Sequence, residues 1–253
     1  MKKPTPTRLA RLGAVCLTLT STAMATNAAA QDRMIFGLGA ANGPEYQGSD
    51  TTSTKAIPLI DIARGPFFIN LRNGIGISPL EYGDFKFGAS VVYLPGFDLR
   101  YALGEVSGSA GARLFTDWQS GDVNATFGLT KAVSGDLKGT LADASLSYRY
   151  NVTPKLTLIP VIGTTWSDGD YNQSYFGVTP TQATRSDIDS FTPGSGFKDV
   201  SIGLTANYRV TERVNLTASA TMSKLLGDAQ DSPIVFDDTQ SFGFIGLSYR
   251  FGG

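Results

Sequence analysis

Asp168 with Asp170, and Asp187 with Asp189, are two carboxylate pairs close enough in the chain to split their pKa values and serve as acid and base. A third acidic stretch holds Asp228, Asp231, Asp237 and Asp238, and hard cations such as Ca²⁺ favour several carboxylate oxygens. All lie in polar loop segments, where the ordinary role of a carboxylate is that of a solvated turn residue, and the acidic stretch matches no calcium-loop spacing. An exposed acidic loop bridging divalent ions to lipopolysaccharide is the remaining role for it. The glycine-containing loops 43–49 and 194–196 are not phosphate loops, because no Gly-Lys-Ser/Thr follows either of them. Their expected task is local, with Pro44 and Pro193 stiffening turns.

The residue inventory narrows the chemistry further. The chain contains no histidine and one cysteine, Cys16. Imidazole catalysis is therefore excluded. Cys16 falls midway through an apolar stretch, Leu12 to about Met24, that follows Lys2, Lys3, Arg8 and Arg11 and precedes Ala28-Ala29-Ala30. That is the layout of a secretory signal, with mature protein expected from Gln31 and residues 31–253 as one domain. Without residues 1–30 the chain has no thiol and a more negative charge than its formal −1. A mildly acidic chain with no basic run argues against nucleic acid as a partner.

Four arginines remain as candidate functional residues: Arg113, Arg149, Arg209 and Arg250. To see where they point, the elements that carry them must be read. From Arg33 onward the chain breaks into segments of about ten residues that alternate apolar with small or polar residues, the period-2 signature of strands. In 200–210, Val200, Ile202, Leu204, Ala206 and Tyr208 lie on one face, and Ser201, Gly203, Thr205, Asn207 and Arg209 on the other. All four arginines fall on the small, polar face of their strands. They either line a pore as a positive stripe or pair with interior acids such as Asp143. Pairing is the expectation, because unpaired charge in a narrow interior is costly.

Strands are expected near 33–41, 54–62, 66–72, 75–80, 84–94, 106–116, 122–132, 140–150, 154–166, 198–210, 213–226 and 241–251. No stretch after residue 30 is apolar for the roughly 18 residues that a membrane helix requires. Alternation alone suits a soluble sandwich as well. Three features favour a membrane barrel. Aromatics gather at strand ends (Tyr93, Tyr148, Tyr150, Trp166, Tyr208, Tyr249), the polar faces hold Ser, Thr, Gly, Asn and Arg in place of Lys and Glu, and turns alternate between short (151–153, 211–213) and longer (133–138, 167–197). The fold class is thus all-β, an antiparallel transmembrane β-barrel of about 12 strands with short periplasmic turns and longer extracellular loops. The alternative is ten strands, because 66–72 and 75–80, joined by the hairpin signal Asn73-Gly74, are each shorter than the roughly 9–11 residues of a full span.

Gly37-Leu38-Gly39 with Gly43-Pro44-Glu45-Tyr46-Gln47-Gly48-Ser49 resembles the early motif of the MipA/OmpV outer-membrane proteins. So do Tyr175-Phe176-Gly177-Val178 with Ser186 and Phe191-Thr192-Pro193-Gly194-Ser195-Gly196-Phe197, and Leu225-Leu226-Gly227-Asp228-Ala229-Gln230-Asp231-Ser232-Pro233-Ile234. The ending Tyr249-Arg250-Phe251 resembles the signal read by the outer-membrane assembly machinery, displaced by Gly252 and Gly253. The family resemblance implies a cell outer-membrane location, contact with outer-membrane lipid and lipopolysaccharide, and no cofactor. In the founding member it also implies a non-catalytic scaffold that links a periplasmic lytic transglycosylase to a murein synthase. Other members resemble adhesins, so Tyr175, Phe176, Phe191, Asp228 and Asp231 are candidate interaction-loop residues. Outer-membrane hydrolases resemble barrels with a histidine-containing site, which this chain lacks, so no enzyme is expected. A narrow pore for small solutes and a surface adhesin using loop 167–197 are the competing functions.

Overall fold

The computed structural model describes residues 32–99 and 103–252. The expected signal segment, residues 1–30, lies outside the described residues. The alternating segments form β1 (Arg33–Pro44), β2 (Thr52–Arg64), β3 (Phe67–Asn70), β4 (Gly74–Tyr82), β5 (Phe85–Leu94), β8 (Ser109–Ser120), β9 (Val123–Ser134), β10 (Thr140–Tyr148), β12 (Leu156–Ser167), β13 (Gly196–Arg209), β14 (Val214–Leu225) and β15 (Thr239–Phe251). A two-residue β11 (Tyr150–Asn151) continues β10 beyond a break at Arg149, whose N–H donates to the Asp122 carbonyl at 2.8 Å. Every neighbouring pair is antiparallel; β1 closes on β15, and β10 on β12. The result is a closed barrel of 12 staves, the larger of the two expected numbers. Its ribbon partner β6 (Phe97–Asp98) and β7 (Glu105–Val106) stands in the loop between β5 and β8.

Closure follows from the alternation. A strand whose faces differ in polarity has a strongly specified register, since a one-residue slip would invert it. Leu204 pairs with Pro160 and Ala220, all on the outer face, while Thr205 pairs with Ile159 and Ser219 on the inner one. Leu204 is 46 % exposed and Thr205 3 %. The outer face is a belt of exposed apolar side chains such as Leu38, Val91, Leu114, Phe127, Ile202 and Leu247. A soluble protein does not expose an apolar surface of this extent, whereas a bilayer-spanning barrel must.

The β3–β4 hairpin departs from expectation. Asn70 pairs with Gly74, so the turn is the three residues Leu71, Arg72 and Asn73, and not the two residues Asn73 and Gly74. Asn73 is drawn out of the turn tip because its N–H donates to Asn70 Oδ1 at 2.7 Å. Gly74 instead opens β4 with φ 72°, where an added Cβ would sit 2.1 Å from the Val91 carbonyl. Only glycine fits that backbone and that approach. The hairpin is also truncated: β3 has 4 residues, against 13 in β2 beside it.

The 7-residue separation of β1 from β2, and the longer links β5–β8, β12–β13 and β14–β15, all leave one end of the barrel. The other end carries short turns and both residues 32 and 252. Loop 168–195 holds α1 (Gly169–Phe176) and α2 (Pro180–Ala183), and loop 226–238 holds α3 (Gly227–Gln230). Among the described residues, no helix is long and apolar enough to cross a membrane.

Candidate functional site

The interior is divided into three zones, a waist and a cavity built by the inward faces of the strands and a cap built by the long loops. At the waist, inward side chains from all around the wall meet. Thr126 is 0 % exposed, and Phe115, Ile159, Thr205 and Phe244 are also buried. Rings lie flat over glycines of neighbouring strands: a Cβ on Gly88 would meet the Phe115 ring at 2.3 Å, and one on Gly39 the Phe244 ring at 2.5 Å. Phe68 packs edge-on against Phe115, and Ile57, Ala41 and Phe244 form a second apolar contact inside the wall. The waist is therefore filled by side chains.

Above the waist lies a cavity of about 270 Å³, crossed and walled by polar contacts. Arg113 donates from Nη1 and Nη2 to both oxygens of Asp143, at 2.5 and 2.9 Å. The same guanidinium reaches Thr130 Oγ1 at 3.0 Å and Asn73 Oδ1 at 3.1 Å. The interior acid named from the sequence is thus the partner of Arg113. Arg72, on the inward-folded β3–β4 turn, crosses the cavity to donate to Ser145 Oγ at 2.7 Å. Lys198 is paired with Asp199 and donates to Gln47 Oε1 at 2.8 Å. Buried charges held in pairs with further hydrogen bonds avoid the desolvation penalty of a lone ion.

The other three arginines do not join Arg113. Arg149, Arg209 and Arg250 are half-buried at the short-turn end, with Arg250 opposite Ile35 and Arg209 opposite Asn215. Beside them Arg33 pairs with Asp61 at 2.7 Å. The packed waist separates this mouth from Arg113, so the four arginines form no continuous stripe.

The third zone is a cap made by the long loops. Tyr46, Phe97 and Tyr175 come from three different loops, with ring centroids 5.6 Å apart for Tyr46–Phe97 and 4.4 Å for Phe97–Tyr175. Phe176, Leu137, Tyr171, Leu225 and Ala229 complete the cluster. Aromatic contacts of this kind add to the burial of apolar area. Hydrogen bonds lock the loops to one another: Tyr46 Oη donates to the Ile234 carbonyl, Gln47 N–H to Tyr175 Oη, and Ser232 Oγ to the Phe176 carbonyl. Of the candidate interaction residues, Tyr175 and Phe176 are buried in this core, with Phe176 0 % exposed, and do not present themselves to a partner. Phe191 is half-buried and pairs with Val178, while Asp228 and Asp231 are exposed.

Four of the carboxylates considered for chemistry, Asp168, Asp228, Asp237 and Asp238, accept hydrogen bonds that tie the loops together. Asp228 accepts from Gly194 N–H at 2.6 Å, Asp237 from Thr239 N–H, and Asp238 from Gln230 Nε2. Asp168 is the N-cap of α1, accepting from Tyr171 N–H at 2.9 Å. Burial pushes its pKa up, but hydrogen bonds from Thr140 and Tyr171 prevail and hold it below the usual 3.8. Asp136 is lowered by its hydrogen bonds with Ser107. Asp187 and Asp189 are exposed. Arg72, Lys198 and Asp199 escaped notice in the sequence, although Lys198 and Asp199 are adjacent charges at the start of β13.

A family model described as MltA-interacting protein MipA matches residues 36–251, nearly the whole barrel. YiaT of Escherichia coli (strain K12), which bears the name of an outer membrane protein, is 28 % identical over 234 residues, covering 88 % of this chain and 93 % of YiaT. The MltA-interacting protein of the same organism is 26 % identical over 113 residues, 45 % of each chain. Among solved structures, the NanC porin aligns with a TM-score of 0.43 at 9 % identity, over 87 % of this chain and 100 % of that one.

Proposed function

The chain belongs to the MltA-interacting protein MipA family and sits in the outer membrane, and from that premise we propose that it is a non-catalytic scaffold for periplasmic murein-remodelling enzymes. The observation that carries the proposal is the family match across residues 36–251, with a relative whose name states an interaction with MltA. The partners are a periplasmic lytic transglycosylase and a murein synthase, met at the short-turn face. That face carries the mouth arginines and Arg213, whose guanidinium donates to Tyr249 Oη at 3.4 Å. Fixed charge on a rigid rim suits the recognition of an acidic protein surface.

The filled waist weighs against conduction of solutes as the main role. The packed cap weighs against an adhesin that reads its target through Tyr175 or Phe176. A pull-down from solubilised cell envelope, with the mature protein as bait, tests the scaffold. Co-elution of both murein enzymes is expected, with weakened capture by an Arg149→Glu, Arg213→Glu double variant. Capture of neither enzyme by the folded bait would reject the scaffold.

A further inference from the structure

The truncated hairpin leaves a notch in the barrel wall. β2 is bonded to β1 from Thr52 to Ala63, but to β3 only from Asp61 to Arg64. On the far side, β4 pairs with β5 only as far as Val91, while β5 runs on to Leu94. Among the described residues, no strand stands between 53–60 of β2 and 92–94 of β5. The notch lies within the apolar belt, since Ala56 and Pro58 on one side and Val91 and Tyr93 on the other are exposed outward. An unpaired strand edge does not survive in hydrocarbon unless it lines a polar, water-holding space.

Such a space is directly behind the notch. The 270 Å³ cavity is lined by Leu71, 42 % exposed at the tip of the β3–β4 hairpin, and by Tyr93, 64 % exposed on the outward face of β5. A cavity whose lining includes outward, exposed side chains reaches the surface there. One wall is hydroxylic, with Ser145, Ser201, Ser219, Thr221 and Ser223, whereas the side where the notch opens is apolar, with Leu71 at the hairpin tip and the inward-pointing Val92 and Leu94 of β5. Its charged groups are already engaged by the wall, Asp143 by Arg113, Asp199 by Lys198 and the Arg72 guanidinium by Ser145 Oγ, which suits a partner that brings hydroxyls and not a charge.

We propose that this chamber is a binding site for a small neutral amphiphile, entered sideways from the outer leaflet through the gap between β2 and β5 above the β3–β4 turn. A hydroxylated head of about one sugar ring would lie against the serine and threonine wall. Its alkyl tail would pass between Leu71 and Tyr93 into the lipid. Polar groups placed at one end of an otherwise apolar opening fix both the orientation and the class of ligand. The site is separated by the waist from the short-turn face, so it does not depend on the murein partners.

The test uses the absence of cysteine from residues 31–253. Ser219→Cys and, separately, Thr221→Cys are placed in the full mature barrel in lipid nanodiscs, with heat-modifiable gel mobility as the folding check. Each is exposed to a bilayer-dissolved N-alkyl maleimide or to a multiply charged, water-soluble maleimide. Leu204→Cys on the lipid face and Thr205→Cys in the waist serve as the reactive and sealed references. The expected result is labelling of both chamber positions by the alkyl reagent and not by the charged one. Octyl β-D-glucoside should abolish that labelling without affecting Leu204→Cys, while octanol and glucose given separately should leave it. Labelling by the charged reagent would place the entrance in water and overturn the sideways route. No labelling by either reagent would mean that the notch is covered, by chain or by a partner strand, and would overturn the proposal. Labelling that octyl glucoside does not prevent would overturn the ligand class.

Discussion

Arg113 on β8 reaches over Gly128 on β9 to clasp Asp143 on β10, and the clasp exists because Gly128 has no side chain. A Cβ there would lie 2.1 Å from Arg113 Nη2 and 2.3 Å from Cζ. The guanidinium lies on the backbone of the intervening strand, which sets the reach of the pair. Gly128→Ala should displace the guanidinium and leave Asp143 without its two-point partner. Breaking a buried pair by removing one side costs about 3–5 kcal/mol, an upper bound here because the Asp143 side chain keeps 27 % exposure. Urea unfolding from lipid vesicles should show this loss for Gly128→Ala, with little further loss in Gly128→Ala, Asp143→Asn. Additive losses would mean that glycine and ion pair act separately.

The two faces of β13 predict different penalties with different causes. Leu204→Arg places a charge in the lipid belt and should cost about 2–4 kcal/mol near the midplane. Thr205→Arg faces the waist, where overpacking alone costs about 1–3 kcal/mol. Both variants should therefore lose stability in vesicle unfolding. A neutral Thr205→Arg would show that the waist holds water in place of packed side chains.

Conductance separates the waist from the cap as the seal. In planar bilayers the intact barrel should show no single-channel steps. Deleting 169–194 and bridging the ends should remove α1 and α2 from the cap yet leave the bilayer silent, because Phe115, Phe244 and Ile159 remain below. Steps that appear only after this deletion would assign the seal to the cap.

Acid should loosen the cap at Asp168. Its pKa in the folded protein is below the usual 3.8, so its stabilising contribution is complete above about pH 4 and is lost as pH falls through the folded value. Hydrogen exchange at the Tyr171 amide, corrected for intrinsic rate, should accelerate below that pH. Asp168→Asn retains a capping oxygen but does not titrate, so it should remove the acid-dependent part. Equal acceleration in both proteins would assign the effect to other groups.

Much of the fold was legible in the sequence because side-chain alternation is a local property. Val200 to Tyr208 and Leu216 to Met222 each declare their own faces, and pairing the like faces places Leu204 opposite Ala220 without further information. The same logic put Arg113 and Asp143 on inward faces. Strand number also followed, except that the shortness of β3 invited a count of ten. Its brevity is a design of the wall: the turn folds inward to bring Arg72 and Asn73 to Ser145 and Arg113.

What the sequence by itself determined is therefore the barrel and its faces; what only the tertiary structure decided is how the interior and the loops are filled. Tyr175 and Phe176 sit in a polar loop with no periodic pattern, so exposure was a natural expectation. Their burial arises from Tyr46 and Phe97 in other loops, with Gln47 meeting Tyr175 across 128 residues of chain. The four inward arginines were alike in one dimension, yet closure places Arg113 above the waist and Arg149, Arg209 and Arg250 at the short-turn mouth. Period-2 alternation specifies which way a side chain points, but its height and its neighbours across the lumen depend on closing the sheet, which brings together residues that share no local signal.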